Sequence, residues 1–198
     1  MRTVILKCWF IGLLFIPLSL FSQRTDKYNS IYEAYFKAEE LYSHLQYGAA
    51  KKEYRDFINS CDNPNDPLYQ KALYYEGVSA LELYNFDAIT LLMEYNRLYP
   101  ENIHRKMISF KIGRFFFHDQ SYDDAQLWFE KITAADLDSS YKEEYHFKMG
   151  YCALQNGIKE LAIKVFRENI NGKSQYAAPS KYFFAHLCYE RGSYQLAL

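Results

Sequence analysis

The sequence predicts an all-α protein made of stacked helix–turn–helix units. Three observations predict it. First, a Gly or Ala is followed twelve residues later by Ala or Ile, and four residues after that by an aromatic residue or Met. The instances are Ala38–Ala50–Tyr54, Gly77–Ile89–Met93, Gly113–Ala125–Phe129 and Gly150–Ala162–Phe166, and Ala185–Ala197 opens a fifth. Second, helix starts and helix breakers alternate at the same interval. Third, no stretch shows the period-two alternation of a half-buried strand. The first slots lie 39, 36, 37 and 35 residues apart, in the range of a repeated supersecondary unit.

Taken in chain order, Arg2 and Lys7 precede an apolar run from Cys8 to Phe21, broken by Gly12, Pro17 and Ser19. A basic start, a short greasy stretch and a small residue are the layout of a secretory signal peptide. Residues 1–22 are expected to form it, with cleavage after Ser22. An uncleaved anchor is the alternative, but the run falls short of the roughly 20 residues that span a bilayer. Residues 23–29 are a short connecting segment, and the repeat array is expected over residues 30–198. Ser30–Glu33 and Ser140–Glu143 fit capping boxes. Asp66–Pro67 offers an N-cap followed by Pro at the first helical position. Ser121 precedes Asp123 and Asp124, whose charges suit a helix N-terminus. Breakers fall at 59–67, 99–102, 134–140 and 171–176.

Composition narrows the function classes. Apolar residues make up 49% and charged residues 24% of the chain, so it can bury a core and is not a disordered sequence. The net charge is −1, and loss of residues 1–22 removes Arg2 and Lys7 but no acid, leaving −3. That balance lacks the basic surplus of a nucleic-acid binder. Of the four cysteines, Cys8 lies in residues 1–22, and the three that remain after their loss, Cys61, Cys152 and Cys188, are odd in number and irregularly spaced, so they make no disulfide framework and no CxxC site.

The slot pattern, at its best in Gly113–Phe129 (GRFFFHDQSYDDAQLWF) and Gly150–Phe166 (GYCALQNGIKELAIKVF), resembles the tetratricopeptide repeat (TPR) family. The resemblance covers residues 30–198. The first two units depart from it, with Ala38 in place of Gly and Ile89 in place of Ala. It implies a right-handed superhelical α-solenoid of about four and a half units. Ala38, Ala50, Gly77, Gly113, Ala125, Gly150, Ala162, Ala185 and Ala197 are the expected small residues at helix crossings, with Phe129 and Phe166 beside them. The last unit ends within its second helix, so a fragment of a longer array is expected, with a truncated gene as the alternative.

One face of each first helix carries the candidate binding residues. Three residues before the small slot stand Tyr35, Tyr74, Phe110, Phe147 and Tyr182. One residue after it stand Arg114, Tyr151 and His186 in the last three units, and four after it Phe117 and Tyr189 in the third and fifth. Offsets of i, i+4 and i+7 share a helical face. In the family the chain resembles, that face lines a concave groove that holds partner segments. Aromatic rings bury much area with few rotors and make good anchors. Arg114 fits a carboxylate or a chain terminus, or a surface ion pair. Packing between neighbouring helices is the competing role for the ring row.

No metal-ligand spacing appears among the five histidines, and there is no phosphate loop or nucleophile motif. The expectation is a non-catalytic interaction scaffold without cofactor or metal, exported to the periplasm or envelope of a Gram-negative-type bacterium. Its partner would be a protein or peptide, with no nucleic acid and no membrane span in the mature chain. Self-association through the C-terminal end is a further expectation. The alternatives are an accessory domain of a larger envelope enzyme or secretion assembly, and a glycan-binding module.

Overall fold

The structure, a computed structural model, describes the backbone of residues 18–197 and the side chains of residues 31–197. Of the expected leader, residues 1–17 lie outside the described residues. Among the described residues ten α-helices follow one another: α1 (Leu18–Ser43), α2 (Tyr47–Ser60), α3 (Pro67–Glu82), α4 (Ala88–Leu98), α5 (Arg105–His118), α6 (Tyr122–Phe129), α7 (Ser139–Gln155), α8 (Lys159–Arg167), α9 (Ala177–Glu190) and α10 (Tyr194–Ala197). A 3-10 turn spans Ala134–Asp136. No strand occurs among the described residues, and no helix there is long and apolar enough to cross a membrane. The fold is all-α, and within each of two compact units helices pack on their neighbours in sequence. The chain divides into two compact units, one ending at Tyr95 and one beginning at Asn96.

Two of the expected helix starts are corrected. Ser30 starts nothing, because α1 already runs from Leu18. Asp138, not Ser140, precedes α7, and the Glu143 carboxylate turns away to accept from the backbone N–H of Lys173 and Ser174. The Asp66 cap is formed as expected: its carboxylate accepts from Leu68 N at 2.8 Å, with Pro67 in the first turn.

In the N-terminal unit, Tyr35 and Ala38 of α1 pack on Ala50, Tyr54 and Phe57 of α2 and Ala72 of α3. The small slot works as the spacing predicts, since a Cβ on Gly77 would stand 2.7 Å from Leu92 of α4. The register in this pair is shifted by one residue. Ala88 and Leu92 are fully buried where Ile89 and Met93 were expected, and Met93 is exposed. The turn is one residue shorter, so an alanine does occupy the second slot. Phe86 is left 98% exposed by the same shift.

In the C-terminal unit, Phe110, Ala125, Phe129, Tyr145, Met149 and Cys152 form one cluster. Ala153, Ala162, Phe166, Phe184, Leu187 and Cys188 form the next. Cβ atoms on Gly113 and Gly150 would meet the rings of Phe129 and Phe166 at 2.6 and 2.9 Å. Each ring fills the space a side chain would take. Asn169 binds three elements together: its Nδ2 donates to Glu143 O at 3.0 Å and to Ser180 Oγ at 2.9 Å.

The same turn closes all five helix pairs. Leu45, Tyr84, Gln120, Gly157 and Gly192 all adopt the left-handed conformation, with φ between 53° and 77°. Each donates its N–H to the carbonyl three residues back, as Leu45 does to Tyr42 O, and the following residue donates to the carbonyl five back. These are the two bonds of a Schellman motif, which satisfy carbonyls left open at the helix end. The five positions are seven residues after the five small slots. Only two of them are glycine, so residue type alone does not mark the recurrence in the sequence.

Candidate functional site

The structure splits the candidate groove residues into core and surface. Tyr35, Tyr74 and Phe110 are buried. Each ring packs on the second helix of its own pair: Tyr35 on Tyr54 and Phe57, Tyr74 on Tyr95, Phe110 on Phe129. Their placement in a groove is therefore corrected to the core. The physical reason is the small slot. It lets the two helices approach so closely that a ring three residues earlier is drawn into the crossing. Phe147 is half-buried on Phe166 and Tyr176. Tyr182, His186 and Tyr189 are exposed on α9.

Arg114, Phe117, Phe147 and Tyr151 come together in the C-terminal unit. Tyr151 of α7 lies 5.7 Å from Phe117 of α5, 5.5 Å from Tyr122 of α6 and 5.5 Å from Phe183 of α9, in each case edge to face. Such geometry places positive ring edges on negative ring faces. Arg114 Nε and Lys148 Nζ lie 2.9 and 2.7 Å from the same Glu144 oxygen. Arg114 is thus in an ion pair, but with a buried acid of α7 rather than one at the surface. The cluster still carries two cations against one anion, and Lys148 lies 5.1 Å over the Phe117 ring. Burial holds the Lys148 ammonium below its usual range, opposed by the Glu144 carboxylate. Burial pushes the neighbouring Cys152 thiol up to about 12.

Glu144, Lys148, Tyr122, Tyr176 and Phe183 were not among the sequence candidates. A signal for two of them existed. Lys148 and Phe183 stand two residues before the small slots Gly150 and Ala185, as Tyr75 does before Gly77. That offset marks the side chain that reaches the preceding first helix. Tyr75 lies 4.9 Å from Tyr42 in the N-terminal unit.

A second surface lies on α9 and α10. Tyr182, Ala185, His186, Tyr189, Tyr194 and Ala197 line an open groove of about 370 Å³. The Tyr182 and His186 rings are stacked at 6.2 Å, and His186 Nε2 lies 3.3 Å from Glu190. No group of three or more His, Cys, Asp or Glu able to hold a metal occurs among the described residues. No protein-family model matches the chain, and no curated protein matches it.

Proposed function

We propose that this chain is a non-catalytic interaction scaffold, a right-handed array of about four and a half TPR-like units exported to the cell envelope. It binds a segment of a partner protein over the first helices of its C-terminal unit. The observation that carries the reading is the half-buried aromatic cluster of Phe117, Tyr122, Phe147 and Tyr151 beside Arg114 and Lys148. Rigid rings with a net positive rim suit a segment that presents apolar and acidic side chains. The five identical turns, each seven residues after a small slot, support the repeat reading. The basic and apolar N-terminal run supports export.

A photo-crosslinking residue in place of Tyr151 tests this in envelope fractions of the source cells. The same residue in place of Asp124, exposed at the start of α6, is the control. One protein crosslinked from position 151 and absent from position 124 is the expected outcome. Identical patterns from both positions, or none from either, refute the site.

A further inference from the structure

We propose that Asn171 is a site of spontaneous covalent modification. Its side chain closes on the backbone nitrogen of Gly172, and the asparagine ends as aspartate or isoaspartate. The sequence has two Asn–Gly steps, Asn156–Gly157 and Asn171–Gly172. Glycine lacks a Cβ and lets other groups approach its backbone closely, so each step leaves the attacking nitrogen unshielded. By sequence the two steps are alike, and the structure separates them.

Asn156 stands at the turn between α7 and α8. Its Nδ2 donates to Gln126 Oε1 at 2.8 Å and to Tyr122 O at 3.3 Å. These bonds fix its amide on α6, so its Cγ is not free to turn to the Gly157 nitrogen. Asn171 stands in the loop between α8 and α9. It is exposed, and its side-chain amide has no hydrogen-bond partner among the described residues. The fold also demands glycine after it. A Cβ at position 172 would collide with the Glu143 carboxylate. That carboxylate is held in place by the N–H groups of Lys173 and Ser174 and by the Ser174 hydroxyl. A free asparagine amide thus precedes a residue that the packing keeps without a side chain.

The reaction needs only the chain, water and a base from solvent. The Gly172 nitrogen gives its proton to the base and attacks Asn171 Cγ. A C–N bond forms, the bond from Cγ to Nδ2 breaks, and that nitrogen leaves as ammonia after taking a proton back from solvent. Water then opens the five-membered imide at either carbonyl. One opening gives aspartate. The other gives isoaspartate, whose main chain runs through the side-chain carbons. The Gly172 N–H donates to Asn169 O at 3.1 Å, so the turn opens first and the folded chain reacts more slowly than the unfolded one. Either product sets a carboxylate one residue from the contact between Gly172 and Glu143, and like charges disfavour each other. Isoaspartate also moves the Lys173 and Ser174 N–H groups relative to Glu143. Modification therefore loosens the loop that leads into α9. None of this depends on the partner surface of α5 and α7.

Incubation of the purified chain at mildly alkaline pH tests the proposal, with a parallel sample unfolded in urea. Peptide mapping by mass spectrometry reads the change from amide to acid at each asparagine, and enzymatic methylation of isoaspartate separates the two products. In urea both Asn–Gly steps should convert. In the folded chain Asn171 should convert while Asn156 stays intact. The Ser174 amide NMR signal should shift in step with conversion at 171. Asn171→Gln, which would have to close a larger ring, should keep that signal in place, with circular dichroism verifying that the variant folds. A folded chain in which Asn171 stays intact overturns the proposal, as does one in which Asn156 converts as fast. A Ser174 signal that stays fixed while position 171 converts refutes the loosening of the loop.

Discussion

The left-handed turns allow a measurement in which backbone conformation is separated from packing. A non-glycine residue in that conformation costs about 1–2 kcal/mol, because its Cβ crowds the following carbonyl. Glycine removes this cost but adds about 0.5–1 kcal/mol of chain entropy to the unfolded state. Leu45 and Gln120 adopt φ of 60° and 61°, and both side chains are exposed. Little packing is lost when they are removed. Leu45→Gly and Gln120→Gly should therefore each stabilise their unit by about 0.5–1 kcal/mol. The reverse change is open at Gly157 and Gly192, at φ of 76° and 77°, where an added Cβ meets nothing within 4 Å. Gly157→Ala and Gly192→Ala should cost about 1 kcal/mol each from backbone strain alone. Urea unfolding followed by circular dichroism reads the midpoint shifts at unchanged slope. If Gln120→Gly lowers the midpoint while Gly157→Ala leaves it unmoved, the turns are not left-handed and the recurrence argument fails.

Gly113→Ala and Gly150→Ala should each destabilise by about 1–3 kcal/mol, the range for overpacking a core, and Phe129→Leu should relieve the first in a double-mutant cycle. Tyr54→Phe should be neutral or stabilise by about 1 kcal/mol, since the Tyr54 hydroxyl is buried with no partner among the described residues; thermal unfolding of the two proteins decides it. Acid should free the loop before α9. The Ser174 hydroxyl and the Lys173 and Ser174 N–H groups hold the Glu143 carboxyl below its ordinary value of 4.5. A folded value below the unfolded one gives stability that is present above about pH 4.5 and is lost as pH falls through the folded value. The Ser174 amide NMR signal should shift in that window, and Glu143→Gln should abolish the shift. A thiol reagent at neutral pH should label half-buried Cys61 well before buried Cys152 and Cys188, as peptide mapping by mass spectrometry would show.

The candidate site was only partly legible in the sequence. Arg114, Phe117 and Tyr151 were found because they share a helical face. Glu144 and Lys148 were missed because their roles depend on facing α5, and a helix does not record its neighbour. The ring row at Tyr35, Tyr74 and Phe110 fits both a groove and interhelical packing in the sequence, because aromatic residues serve cores and binding faces equally well.

By itself the sequence determined the all-α class, the small slots at Gly77, Gly113 and Gly150, and the helix start at Asp66–Pro67. Those features follow from local rules: helical period, side-chain size and backbone satisfaction. Tertiary structure alone decided the rest. It set the one-residue shift that puts Ala88 and Leu92 in the core, because the length of the turn before them is fixed by how α4 seats on α3. It placed Leu45, Tyr84 and Gln120 in the left-handed conformation, because closing each pair outweighs the local cost. It also buried Phe110 and left Tyr189 exposed, because a ring on a helix surface becomes core only when another helix covers it.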